Sequence, residues 1–382
     1  MKSSHFKMFK GTLLSACVFT TALQAEDKNL EAKVAELEAR LEAMSEKIED
    51  KEKTSLADRV HWTGYGELHV NQLKGEGGLA DKKEIDLHRF VLGAHVDFTK
   101  KIRFVSEIEI EHALTNNKAT NTGEVEIEQA YVEMDVAKNH HLKAGVFLVP
   151  IGIINETHEP PAFYGVERNV VETNILPSTW WEGGLGLSGD LGQAWKYDLA
   201  LTSGLSSDNT FAIRGARQKV SSAPMENPAS TARIRYKGLP GLEVGATLQY
   251  QSDIRQKKNA SSTVSAIVYE THVDYRRGPY GIKALYAGWD IDGTSTVAGM
   301  EEQRGYYIEP SYRIIKPVGV FYRYNEYDNA AGKSGITAKV QHDVGVNYWP
   351  HENVVFKADY QYQNNENGKD LNGINVGVGY AF

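Results

Sequence analysis

From Trp62 to Phe382 the chain is patterned with a period of two, and that period limits its fold more than any single motif. The last stretch, Asn372 to Phe382, reads NGINVGVGYAF. Ile374, Val376, Val378, Tyr380 and Phe382 share one parity; Gly373, Asn375, Gly377, Gly379 and Ala381 share the other. Strand side chains alternate faces, so one face here is apolar and aromatic and the other small or polar. The same rule separates Phe90, Leu92, Ala94, Val96 and Phe98 from Arg89, Val91, Gly93, His95 and Asp97. It also separates Val354, Phe356, Ala358, Tyr360 and Tyr362 from Val355, Lys357, Asp359, Gln361 and Gln363. Sixteen such strands are predicted: 62–72, 84–98, 102–113, 124–136, 141–149, 183–191, 195–203, 230–237, 242–252, 265–276, 280–289, 304–315, 317–326, 339–349, 353–363 and 372–382. Most come close to the roughly 9–11 residues with which a tilted strand crosses a bilayer.

The connections carry a second regularity. Those at 99–101, 137–140, 192–194, 238–241, 277–279, 315–316 and 350–352 are tight and hold Gly, Pro or Lys. Those at 73–83, 114–123, 150–182, 204–229, 253–264, 290–303, 327–338 and 364–371 are longer and mostly polar, and the two kinds alternate. A soluble sandwich has no reason to sort its loops by length, whereas a transmembrane barrel has short turns at one rim and long loops at the other. Hydrophobic residues make up 41% of the chain, too few for a helical membrane protein. Beyond the N-terminus no run approaches the roughly 18 apolar residues of a spanning helix. The expected fold over 60–382 is therefore all-β, a 16-stranded antiparallel transmembrane β-barrel, greasy outside and wet within.

Residues 1–25 read as an export signal, with Lys2, Lys7 and Lys10 ahead of an apolar core from Gly11 to Leu23 and a small residue at Ala25. Leu14-Ser15-Ala16-Cys17 fits a lipoprotein box, but the apolar core runs on past Cys17, which favours cleavage after Ala25. Cleavage there removes the only cysteine, and the loss of three lysines takes the formal charge from −8 to −11, which disfavours nucleic acid as a partner. Within 29–53, Leu30, Val34, Leu37, Leu41, Met44 and Ile48 are spaced 4, 3, 4, 3, 4, an a/d seam that predicts a coiled coil. A strand follows it directly, so the helix is expected on the periplasmic side.

The connection at 150–182 is unlike the others. It reads PIGIINETHEPPAFYGVERNVVETNILPSTWWE, with apolar pairs and aromatics that a loop in water does not need. Folding into the barrel would bury them and narrow the lumen, and loops of this length are usually functional when ordered. Its charged residues Glu156, His158, Glu159, Glu167 and Arg168 are the candidate constriction. The candidate wall residues on the polar parity are Arg89, Arg103, Glu107, Glu109, Arg233 and Arg235, with Arg276, Arg313 and Arg323 further along. The plainer reading of each is a solvated wall residue or half of a salt bridge. Both signs are present, so a modest rather than strict charge preference is expected.

Several motifs resemble one family. Gly145 to Gly152 (GVFLVPIG), Glu167-Arg168, Trp180-Trp181-Glu182-Gly183-Gly184, the strand Glu128-Gln129-Ala130-Tyr131-Val132-Glu133, the N-terminal heptads and the terminal Phe382 are similar to the phosphate-selective porin O/P family. The resemblance implies a trimeric outer-membrane porin, embedded in lipid, passing small hydrophilic solutes and anions such as phosphate, with no cofactor. Phosphate-specific members of that family carry arginine ladders and lysine clusters; 150–182 here has Arg168 and no lysine, beside Glu156, Glu159, Glu167, Glu172 and Glu182. The competing reading is a structural or adhesive outer-membrane protein with a plugged barrel and a helix that contacts the cell wall. No catalytic motif appears. His158-Glu159-Pro160-Pro161 lacks the second histidine of a zinc-protease helix. His69, His88, His95 and His112 fall on strands without ligand spacing, so no metal site is expected.

Overall fold

The computed structural model describes residues 33–45, 57–115, 123–257, 262–335 and 337–382. The chain divides into two units, Met1–Arg59 and Val60–Phe382. In the first, 33–45 form one helix, α1, along which Val34, Leu37, Leu41 and Met44 are all exposed. The helical period is therefore present. The coiled coil itself is not seen: among the described residues α1 has no helical partner, and Leu30, Ile48 and the export signal lie outside them.

The second unit is a closed antiparallel barrel of sixteen strands, each paired with its neighbours in sequence. They are β1 (Val60–Gly75), β2 (Lys82–Thr99), β3 (Ile102–Glu111), β4 (Val125–Ala137), β5 (His140–Leu148), β6 (Trp181–Leu191), β7 (Trp195–Thr202) and β8 (Ala229–Tyr236). The second half holds β9 (Leu242–Gln251), β10 (Ser265–Arg277), β11 (Tyr280–Asp292), β12 (Glu302–Ile315), β13 (Val318–Asp328), β14 (Lys339–His351), β15 (Val354–Gln363) and β16 (Leu371–Ala381). Closure pairs Leu68 with Val378 and His69 with Gly377. Past the last strand, the backbones of Phe382 and Gly64 exchange two hydrogen bonds of 2.9 and 2.8 Å. Gly64 and Gly66 have a packing reason: a Cβ on either would lie 2.6 Å from the ring of Phe382 or the hydroxyl of Tyr380.

The eight long connections are called L1 to L8. The strand ends differ from expectation chiefly at the first. β1 and β2 stay paired out to Leu73 and Lys82, so L1 shrinks from 73–83 to 76–81. Elsewhere Ile374, Val376, Phe356 and Tyr360 face outward and are exposed, while Asn375, Arg323 and Asn347 face inward and are buried.

Two bulges change which residues face the lumen. Opposite Glu67 and Leu68, β2 offers Arg89 and Leu87, leaving His88 as an extra residue. Opposite Glu107 and Ile108, β4 offers Gln129 and Ile127, leaving Glu128 over. A bulge puts two consecutive side chains on one face. His88 thus joins Arg89 inside, and Glu128 joins Gln129.

The interior is not wet throughout, which corrects the expectation of a polar lining. Ala266 and Val268 of β10, Leu285, Ala287, Trp289 and Ile291 of β11 and Tyr307 of β12 form one buried apolar cluster with loop residues. L3 (149–180) contributes Val149, Ile151, Val171, Ile175, Leu176 and Trp180; L4 (203–228) contributes Leu205, Phe211, Ile213 and Ala216; L5 (252–264) contributes Ile254 and Val264. Apolar loop surface must be removed from water, at roughly 25 cal/mol per Å², and the wall it meets is apolar to match.

Candidate functional site

L3 is held by its own buried carboxylate. Asn169 caps the short helix α2 (Val170–Asn174), its side-chain oxygen accepting from the Glu172 backbone N–H at 2.8 Å. Glu172 then gathers the loop: one oxygen accepts from the N–H groups of Ile153 (2.8 Å) and Ile154 (2.7 Å), the other from Tyr307 Oη (2.8 Å) on the β12 wall and from Asn169 Nδ2 (3.1 Å). Gly152, at φ +69°, lies where a Cβ would be 2.6 Å from that carboxylate. Glu172 and Glu182, read from sequence as loop charges, are therefore internal ties. Glu182 accepts from Trp180 Nε1 (2.9 Å) and from the Ser203 hydroxyl.

Further contacts tie the loop across the lumen face. Trp289 Nε1 donates to the Ile175 carbonyl at 2.8 Å and Trp349 Nε1 to the Pro161 carbonyl at 3.1 Å. Asp359 accepts from the Val166 N–H at 2.6 Å. Arg323, buried on β13 between Asp343 (3.0 Å) and Glu309 (3.2 Å), donates to the carbonyls of Tyr164 and Glu167. Glu156 pairs with Arg233 of β8 at 2.5 Å, and Asp198 of β7 joins Arg233 to Arg235.

The remaining candidates sort into a group and its outliers. Arg89 lies between Glu67 (2.9 Å) and Glu109 (3.2 Å). Glu128 meets Tyr65 Oη at 3.3 Å. His158 Nε2 stands 2.7 Å from the same hydroxyl, and its Nδ1 2.9 Å from the Asn155 carbonyl. Nδ1 therefore carries the proton and Nε2 accepts. Burial, followed by the charge of Arg168, holds the His158 pKa well below the usual imidazole value. Glu107 accepts from Gln129 at 2.6 Å. Arg103 stands apart, paired with Glu133 (2.7 Å) and Asp135 at the short-turn end of β3 and β4. Glu159 precedes the 3-10 turn Pro160–Ala162 without capping it.

Arg168 is the exception among these charges. It donates to Thr179 Oγ1 (3.3 Å) and the His158 carbonyl (3.4 Å), and among the described residues its buried Nε meets no partner and no carboxylate pairs with it. Two arginines of L4, absent from the sequence-based candidates, share this condition. Arg214 donates to the carbonyls of Thr173 (3.1 Å) and Ser178 (2.8 Å), and Arg217 to that of Thr179. Burial and then Arg217 and Arg168 lower the Arg214 pKa to about 10, so it remains charged at neutral pH. The carboxylates of Glu126, Glu111, Glu128 and Glu109 act on Arg217 across the intervening space. A cavity of about 300 Å³ opens here, lined by Glu67, His69, His88, Arg89, Arg168 and Arg214 among others. Sequence reasoning missed Glu67, His69, Glu128, Arg214 and Arg217. Strict alternation puts Glu67 and His69 on the inward parity of β1, whereas nothing local marks L4 as reaching L3.

A closed sixteen-stranded barrel with a long third loop docked on its inner face can be compared with known proteins. The family model for phosphate-selective porins O and P matches residues 60–382, the entire barrel. This chain belongs to that family. A protein of Aquifex aeolicus (strain VF5) is 29% identical over 361 residues, an alignment covering 84% of this chain and 79% of the relative. The outer membrane channel DcaP of Acinetobacter baumannii has a similar structure, with TM-score 0.60 and 16% identity over 85% of this chain and 97% of its own. An anion-selective porin from Comamonas acidovorans matches with TM-score 0.58 and 11% identity, over 85% and 99%. The family and the barrel are those of outer-membrane channels for small solutes rather than of enzymes, and they point to the bacterial outer membrane.

Proposed function

We propose that this porin is a passive channel for small hydrophilic solutes and ions, with L3 as its constriction and a modest preference for anions such as phosphate. The observation that carries the reading is the pairing pattern around the cavity. Among the described residues, Arg168, Arg214 and Arg217 have no carboxylate partner, opposite a wall where Glu107, Glu109 and Glu128 share one arginine, Arg89. Fixed charges of opposite sign facing one another orient dipolar solutes, and the unpaired side biases ion passage. Export after cleavage at Ala25 and assembly as a homotrimer belong to the same proposal. A solved OmpT of Vibrio cholerae with the same fold is described in a trimer form. The exposed seam of α1 supports self-association through a periplasmic coiled coil spanning 29–53.

Planar-bilayer recording tests this. Purified protein should give discrete conductance steps, with a reversal potential in a salt gradient that moves toward the cation side in Arg168→Gln/Arg214→Gln. A protein that inserts and never conducts would falsify the channel. The apolar cluster of L3, L4 and L5 favours a second reading, a plugged structural protein. In that case, deleting residues 29–53 would loosen attachment to the cell wall and leave solute uptake unchanged.

A further inference from the structure

We propose that His69, His88 and Glu167 form a binding site for one divalent transition-metal ion of the zinc type, at the seam between L3 and the barrel wall. The three offer ligand atoms that all lie within 4.8 Å of one another. His69 comes from β1, His88 from the β2 bulge, and Glu167 from L3. Strict alternation would have turned His88 out to lipid; the bulge turns it in, stacked on His69 with ring centroids 4.6 Å apart.

The nitrogens are divided as a metal site requires. Metal-bound histidines characteristically give their other ring nitrogen to a carboxylate, which fixes the tautomer. Glu67 Oε2 lies 3.2 Å from Nε2 of His69, and Glu67 is itself held by Arg89. Asp86 Oδ2 lies 3.3 Å from Nδ1 of His88. Nδ1 of His69 and Nε2 of His88 are thus the nitrogens left to bind. His69 is only 3% exposed, and its Nδ1 faces Glu167 Oε1 at 3.3 Å, an ion-pair contact without an aligned hydrogen bond. A buried nitrogen and a carboxylate oxygen at that separation, out of hydrogen-bond alignment, can share one ion between them. Two imidazoles and one carboxylate suit Zn²⁺ and its neighbours better than Mg²⁺ or Ca²⁺, which take oxygen. Of the surrounding cations, Arg89 is shared by Glu67 and Glu109 and Lys82 meets Glu84 at 3.3 Å, while Arg168 and Arg214 line the same cavity and set an electrostatic cost that the two imidazoles and the carboxylate must outweigh. The site opens on the 300 Å³ cavity, so an ion can reach it.

Two other groupings of similar spacing serve as contrasts. In Glu107, Glu128 and His158 both imidazole nitrogens are already engaged, by Asn155 and Tyr65. In Asp86, His88 and His112 the carboxylate is occupied by hydrogen bonds from both rings, at 3.3 Å and 2.9 Å. Because Glu167 lies on the loop and both histidines on the wall, a bound ion would pin L3 to β1 and β2.

The test uses the full-length mature protein in detergent, stripped with chelator and titrated with Co²⁺ and then Zn²⁺. One equivalent of Co²⁺ should give the intense visible bands of a four-coordinate site and be displaced by Zn²⁺. His88→Ala should abolish the bands, and Glu167→Gln should weaken binding at least about tenfold. His158→Asn and His112→Ala should leave both signals in place. Heat-modifiable migration on gels confirms that each variant is a folded barrel; should His88→Ala not fold, Glu167→Gln on the loop carries the test. Full affinity in folded Glu167→Gln, or loss in His112→Ala with retention in His69→Gln, overturns the assignment. Binding is read without conduction, so the site stands or falls separately from the channel.

Discussion

Two stretches of the same inner wall do opposite work. Along β10 to β12 the lumen side is apolar, and L3, L4 and L5 are sealed to it around Trp180, Ile175 and Trp289. Along β1 to β4 it is charged, with Arg89, Glu67, Glu109 and Glu128 facing Arg168. The first is a dry joint that fixes where the loop lies; the second is a field whose charges the loop completes. A constriction needs both, because a charge arrangement is only as selective as the backbone holding it is still.

The largest effect is expected where a charged member is buried like an apolar one. Arg323→Met leaves Asp343 and Glu309 facing each other without their cation and releases the carbonyls of Tyr164 and Glu167. A loss of about 3–5 kcal/mol follows from breaking a buried pair, to be read as a lower unfolding midpoint in urea with lipid present. Trp180→Ala attacks the dry joint and should cost about 3–5 kcal/mol of loop docking, seen as larger, noisier single-channel conductance and protease cleavage within 150–182. If it shifts ion preference while conductance stays quiet, the division of labour between the two walls is wrong.

Acidification should loosen the same loop more gently. His158 is neutral in the folded loop because burial depresses its pKa, so below about pH 6.5 only the undocked loop takes up that proton. By linkage, docking is unaffected above that pH and weakens by up to about 1.4 kcal/mol per pH unit below it. His158→Asn should remove this acid sensitivity in a comparison of conductance noise at pH 7 and pH 5. The smallest change in stability, with the clearest change in function, is expected from Arg168→Gln. It breaks no ion pair among the described residues, so the midpoint should hold while the anion-to-cation permeability ratio falls a few-fold. An unchanged ratio would remove Arg168 from the selective wall.

Much of this was legible beforehand in particular residues. Alternation from Ile374 to Phe382 and from Phe90 to Phe98 named the outward face correctly, because a lipid-facing strand leaves polar groups nowhere to go. It failed at His88 and Glu128, where an extra residue resets the parity and leaves no mark in composition. The general expectation of a wet interior also failed at Leu285, Ala287, Trp289 and Ile291, since a strand apolar on both faces does not say what covers its inner one. The charges of L3 were visible as charges, but Glu172 as a tie to the wall depends on Tyr307, 135 residues away, and the contacts of Arg168 depend on how the loop folds on itself to bring Thr179 and His158 to it.

The sequence by itself determined a closed sheet, the number of its strands, the rim that carries the long loops and the loop that must turn inward. Those are consequences of period and local polarity, which act over a few residues. Only the tertiary structure decided which charges are satisfied and which remain free, and that two scattered histidines and a loop glutamate converge. Those outcomes depend on strand register and bulges, which bring distant side chains to within 3 to 5 Å of one another.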